Sequence, residues 1–187
     1  FLMLNRQGAV SQHYRKMHIP DDPGFFEKYY FTPGDKGFQV AKTDSGNCGM
    51  LICWDQWFPE AARLTAMKGA ELLIYPTAIG WDDTEPESVY QSQVDAWTNI
   101  MRSHAIANNV FVLAVNRVGR EGHLNFWGHS FLADPFGNIV HQDKTEEVIS
   151  QFEIDFQQVQ EARKVWPYFR DRRIDFYNDL SQRWLEV

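Results

Sequence analysis

Residues 47–60 read Asn47-Cys48-Gly49-Met50-Leu51-Ile52-Cys53-Trp54-Asp55-Gln56-Trp57-Phe58-Pro59-Glu60. The first seven, NCGMLIC, make a short apolar run of the kind that fills a buried strand. A helical stretch is expected from about Pro59 to Lys68, carrying Ala61, Ala62, Leu64, Thr65 and Met67, with Gly69 closing it. Glu71-Leu72-Leu73-Ile74-Tyr75 then reads as another buried strand, stopped by Pro76. Residues 87–109 carry a second helical pattern, and Val110 to Val115 a further strand. Strand, helix, strand, helix, strand is the alternation of an α/β or layered α+β domain.

The flanks are read on the same terms. Phe1 to Leu4 is a strand pattern, Asn5 to Gly8 a turn, and Ala9 to Arg15 a returning strand. Residues 19–37 are loop-like, bounded by Ile19-Pro20-Asp21-Asp22-Pro23-Gly24 and Pro33-Gly34-Asp35-Lys36-Gly37; a loop of that length is often functional. Further strands are expected at Ser130 to Ala133, Ile139 to His141 and Val148 to Ile154, with Asp134-Pro135-Phe136-Gly137 as a hairpin-like turn. Gln157 to Val165 reads as a last helix, and residues 166–187 as an aromatic, charged arm on a single domain spanning 1–187. The chain opens at Phe1, without Met and inside an apolar run, so an upstream portion is expected to be missing.

The bulk properties narrow the function classes. With 187 residues and 44% hydrophobic composition, the chain has material for a packed core. A formal charge of −7 argues against nucleic acid as a partner, because phosphate binding needs a basic face. Two cysteines five positions apart give neither a disulfide framework nor a zinc-finger spacing, which favours a reducing, cytoplasmic setting. No apolar run approaches a membrane span. The 15% aromatic content, spread along the chain, fits large packed surfaces including contacts between copies in a homo-oligomer.

Cys53 falls between a predicted strand and a predicted helix. A turn there exposes a side chain at the carboxyl edge of a sheet, where helix N–H groups favour a thiolate and an oxyanion. A buried free cysteine is the other reading, and position alone leaves both open. Cys48, inside the run, reads as packing. Lys16 stands at the end of a strand, where an ammonium stabilises an oxyanion or simply meets solvent. Glu27 is followed by Lys28-Tyr29-Tyr30-Phe31, and a carboxylate among aromatics is expected to be partly buried and held by a partner. Six histidines invite a Cys–His protease reading, but nothing gives a dyad signature. The Arg-rich stretch Phe169 to Arg173, interleaved with Asp171 and Asp175, reads as a salt-bridge arm.

YRKMHIP (14–20), EKYYFTPGD (27–35) and CWDQWFPEAAR (53–63), in this order, resemble the nitrilase superfamily of carbon–nitrogen hydrolases, and their wording is similar to its N-carbamoylputrescine amidohydrolase branch. The agreement continues through Tyr75 to Gly80, Asn116 to Gly119, Gly128 to Phe131 with Asp134 to Gly137, and Phe169 to Arg173, nearly the whole chain. The resemblance implies a four-layer α-β-β-α sandwich and a Glu-Lys-Cys catalytic set supported by a second glutamate. On it, Cys53 is the nucleophile, Lys16 the lysine, Glu27 the second glutamate, and the Trp54 N–H the oxyanion donor beside Lys16. The first glutamate, the general base, lies upstream in such enzymes and has no counterpart position here.

The implied reaction is hydrolysis of a cationic carbamoyl amine, carbamoylputrescine, to putrescine, carbon dioxide and ammonia, with no metal or organic cofactor. A sibling amidase and a non-catalytic binding or assembly relative are the competing readings. Putrescine's distal ammonium needs a carboxylate or an aromatic face. Trp81 with one of Asp82, Asp83, Glu85 or Glu87, foremost Asp82 and Asp83, is expected to read it; a solvated acidic loop is the alternative.

Overall fold

A computed structural model describes residues 1–185; the last two residues of the expected arm, 186–187, lie outside the described residues. In chain order it contains β1 (Leu2–Leu4), β2 (Val10–His13), β3 (Gln39–Lys42), β4 (Asn47–Met50), α1 (Pro59–Met67), β5 (Leu72–Thr77), β6 (Gly80–Asp82) and α2 (Glu87–Asn108). There follow β7 (Phe111–Asn116), β8 (Val118–Glu121), β9 (Leu124–Trp127), β10 (Phe131–Ala133), β11 (Ile139–Gln142) and α3 (Gln157–Val165). Strands β1 and β2 form a separate hairpin, and β6-β9-β8 a small antiparallel sheet. The main sheet has six strands in the order β11-β10-β7-β5-β4-β3, with β4, β5 and β7 parallel at its centre.

Alternation along those central strands divides the core in two. Leu73, Val112 and Ala133 lie in register and join the cluster under α1 and α2, with Trp97, Met101 and Ala105 fully buried. Ile74, Leu113 and Leu132 share the opposite face, covered by Val159 of α3 with Phe152, Ile154 and Phe156. Helix α2 buries Val94, Trp97, Met101, His104, Ala105 and Asn108, spacings of three and four that mark one stripe of a helix. It ends where Asn109 turns left-handed, at φ +47°. Each fully buried large apolar side chain of this kind contributes about 1.5–3 kcal/mol.

Three expectations need correction. Pro76 does not stop β5 but lies within it, opposite Val115 of β7. The β4 ladder ends at Ile74, so Pro76 has a strand on one side only, the edge-like setting that tolerates proline. Val148 to Ile154 pairs with no strand among the described residues, and Val148 and Ile149 are exposed. Strands β3, β6, β8 and β9 were not expected; each has three or four residues, too short for a periodic signal, and exists through pairing. Glu27 itself is partly buried and held by Lys16, although Tyr29, Tyr30 and Phe31 after it are exposed. Among the described residues, no helix is long and apolar enough to cross a membrane.

Candidate active site

Strand β4 releases the chain at Met50, and the Leu51 N–H still donates to the Ile74 carbonyl at 3.1 Å. Cys53 then opens a five-residue 3₁₀ turn, Cys53–Trp57, that leads into α1. Its φ is +45°, a left-handed conformation that costs a non-glycine residue about 1–3 kcal/mol and persists only where the surroundings enforce it. They do so from two directions. The Asp55 N–H donates to the Ile52 carbonyl at 3.0 Å while the Ile52 N–H donates to Asp55 Oδ2 at 2.9 Å, closing the turn on itself. From α2, Trp97 Nε1 donates to Gln56 Oε1 at 2.9 Å and His104 Nε2 to the Gln56 carbonyl at 2.8 Å. Burial drives the His104 pKa down, so the ring is neutral and Nε2 carries the proton for that bond.

Lys16 follows β2 by three residues, and its Nζ lies 2.5 Å from Glu27 Oε2 at the start of a 3₁₀ turn, Glu27–Tyr29. The side chains are only 12% and 28% exposed, so each ion has exchanged most of its water for the other. The pair lines a cavity of about 640 Å³ together with Tyr14, Thr32, Pro33 and Ile52, the residue that precedes Cys53. The Gly34 N–H donates to the Lys16 carbonyl at 2.7 Å.

Asp55, which sequence reading passed over, joins the two segments. Fully buried, it accepts from Tyr14 Oη at 2.7 Å and Ile52 N–H on Oδ2, and on Oδ1 from His18 N–H at 3.0 Å, with His18 Nδ1 at 2.7 Å. Burial, reinforced by the Asp55 charge, holds the Tyr14 hydroxyl far above its ordinary pKa. The Met17 N–H donates to that hydroxyl at 3.2 Å, and the His18 ring stacks on Phe58 at 3.7 Å between centroids. Only the i, i+2 spacing from Cys53 to Asp55 hinted at this, and such spacing carries no signal unless the turn is known.

Trp54 lines a second cavity, about 580 Å³, with Trp57, Phe25, Asp22, Asp82 and Glu85; among the described residues no lysine or arginine lines it. Asp82 Oδ1 accepts from the Thr84 N–H (3.0 Å) and hydroxyl (2.7 Å), bonds that hold its carboxyl below the ordinary range. Trp81, one position back on β6, lines a different cavity with Trp127 and lies 5.3 Å from the Tyr90 ring. Asp83 is taken by Arg120, with His123 at 3.5 Å. Trp81 is therefore separated from Asp82, Asp83 and Glu85, since alternation along β6 turns it away from Asp82, and of the four carboxylates considered with it only Glu87 lines its cavity. Trp54 and Trp57 wall the cavity that Asp82 and Glu85 line. Cys48 packs in the opposite core face, where burial pushes its thiol up. Among the described residues, no group of three or more His, Cys, Asp or Glu is placed to hold a metal.

The α/β domain thus carries a strained cysteine turn at the carboxyl edge of its parallel strands, joined through Asp55 to the segment that bears a withdrawn Lys–Glu pair. The carbon–nitrogen hydrolase family model matches residues 1–164, and the chain belongs to that family. The N-carbamoylputrescine amidase of Arabidopsis thaliana is 47% identical over 95% of this chain and 62% of its own length. The citrullinase of Francisella tularensis is 43% identical over 97% of this chain and 64% of its own. A carbon–nitrogen hydrolase structure from Helicobacter pylori G27 superposes with a TM-score of 0.96 at 47% identity, covering 98% of this chain and 66% of that one. The chain thus spans a little over three fifths of the length of the curated relatives it matches, and the nitrilase-type fold expected from its motifs is the fold it has.

Proposed function

We propose that the full-length protein hydrolyses the terminal carbamoyl group of an N-carbamoyl alkylamine, with N-carbamoylputrescine as the preferred substrate and Cys53 as the nucleophile. The observation that carries this is the φ +45° turn at Cys53, tied through Asp55 to the segment bearing Lys16. The Cys53 sulfur attacks the carbamoyl carbon, and Lys16 with the Trp54 N–H stabilises the oxyanion. Ammonia leaves, water cleaves the thioester-like intermediate, and the resulting carbamate falls apart to carbon dioxide and the amine. Glu27 orients Lys16. Deprotonating the thiol and activating the water require a general base, a role assigned to a glutamate outside this sequence.

The cavity beside Trp54 supports the cationic substrate over citrulline. Both carry the same carbamoyl group, but citrulline ends in a carboxylate as well as an ammonium. Asp22, Asp82 and Glu85 with two tryptophans suit an ammonium, and no basic side chain there would pair a carboxylate. The test is release of ammonia and amine by the full-length protein from each compound. N-carbamoylputrescine is expected to win by about 100-fold in kcat/KM, the worth of one unpaired charge near 3 kcal/mol. Cys53→Ala is expected to abolish both activities. Equal or better turnover of citrulline would overturn the substrate assignment, and undiminished activity in Cys53→Ala the mechanism.

A further inference from the structure

We infer that Asp55 is the positioning residue that sets the distance between Lys16 and Cys53, acting through Tyr14 and His18. Its two oxygens are divided between the segments: Oδ2 takes the N–H of Ile52, directly before Cys53, and Oδ1 the N–H of His18, two residues after Lys16. Tyr14, two residues before Lys16, closes the bracket from the other side by donating to Oδ2 and accepting from the Met17 N–H. Lys16 is therefore fixed at both flanks by the same carboxylate that closes the cysteine turn. Tyr14 is 1% exposed and Asp55 fully buried, so water cannot replace a lost bond without rearrangement. A neutral amide could not substitute. It keeps one acceptor oxygen and turns its NH₂ toward an N–H that needs an acceptor, releasing either the nucleophile turn or the lysine segment. The gain from such placement is catalytic, because an oxyanion donor acts only when its distance to the developing charge is held.

This rests on the reading of Cys53 as nucleophile and Lys16 as its oxyanion partner, so its test separates the two. Tyr14→Phe keeps the buried ring and removes only the hydroxyl; it serves where Asp55→Asn fails to fold. In the full-length protein, kcat and KM for N-carbamoylputrescine are measured for Tyr14→Phe, Lys16→Ala and the double variant. Alkylation by iodoacetamide, which needs no turnover, is followed at pH 7 on the tryptic peptide of residues 43–63 in a Cys48→Ser background. Tyr14→Phe is expected to lower kcat about tenfold with KM within about twofold, and to slow Cys53 alkylation. In the Lys16→Ala background it should do neither, since a residue acting through Lys16 has nothing left to place. Multiplicative losses in the double variant, or wild-type values for folded Tyr14→Phe, would overturn the inference while leaving the functional reading intact. Alkylation equally fast in wild type and Lys16→Ala, with no loss of turnover, would instead overturn the functional reading and this inference with it.

Discussion

Lys16 and Glu27 face each other at 2.5 Å with most of both side chains withdrawn from water, and neither charge is solvated well enough to stand alone. Glu27→Gln should therefore weaken more than one hydrogen bond: it leaves an ammonium without its counter-ion beside the candidate nucleophile. The expected result is a loss of about 1.5–3 kcal/mol in transition-state stabilisation, read as a fall in kcat/KM for N-carbamoylputrescine, accompanied by a lower thermal midpoint because the unpaired ammonium stays withdrawn from water. Asp82 makes a contrasting case. Thr84 already occupies one of its oxygens, which keeps it ionised and aims the carboxylate from the end of β6. Asp82→Asn, combined with Glu85→Gln, should raise KM for the cationic substrate while leaving an uncharged N-carbamoyl alkylamine unaffected; equal effects on both would remove the cavity beside Trp54 from substrate recognition. At this scale, Cys53, Lys16 and Glu27 could be singled out as candidates because their motifs stand in the sequence. Asp55 was not, since its partners Tyr14 and His18 lie 41 and 37 positions away and only folding makes them neighbours.

At the scale of elements, two close approaches hold the site. The loop over residues 33–37 crosses the lysine segment so tightly that a Cβ on Gly34 would run into the Arg15 carbonyl and come within 2.9 Å of the Lys16 carbonyl oxygen. Those are backbone atoms and cannot swing aside. Gly34→Ala should therefore push the loop off Lys16 and break the 2.7 Å bond from the Gly34 N–H, lowering kcat about tenfold or more. Gly49 does the same for α1: a Cβ there would meet the Thr65 methyl, sit 2.8 Å from a Leu73 methyl and 3.1 Å from the Ala70 Cβ. Its replacement by alanine is an overpacking change in a filled core and should cost about 1–3 kcal/mol of stability, measured by denaturant midpoint at constant slope. The two variants predict opposite signatures: Gly34→Ala loses activity first, Gly49→Ala stability first. Elements with their own period were legible, and α3 was read at Gln157 to Val165, where it lies. The short strands β6, β8 and β9 were not, because a three- or four-residue strand is specified by its neighbours.

For the whole molecule, the α/β order of the centre was legible because β4, β5 and β7 are buried on both faces and read as continuous apolar runs. What could not be read was how the faces are covered, as Val148 to Ile154 shows: the pattern of a strand was there, but a strand forms only where a partner offers its edge. The same burial of the centre makes stability depend on pH in a direction that can be worked out. His104 is 2% exposed, its pKa is depressed by burial, and its Nε2–H is committed to the Gln56 carbonyl. In the unfolded chain the ring titrates at its ordinary 6.5. Between that value and the lower folded one, the unfolded state binds the proton and the folded state does not, so acidification pulls toward unfolding. The stability linked to His104 is thus complete above about pH 6.5 and is lost as pH falls through the folded value. His104→Gln retains a donor for the Gln56 carbonyl but does not titrate. Denaturant unfolding of the full-length protein from pH 7.5 to 5 should show a shallower decline for that variant than for wild type. Parallel curves would mean that His104 takes up its proton equally in the folded and unfolded states and contributes nothing to the acid sensitivity.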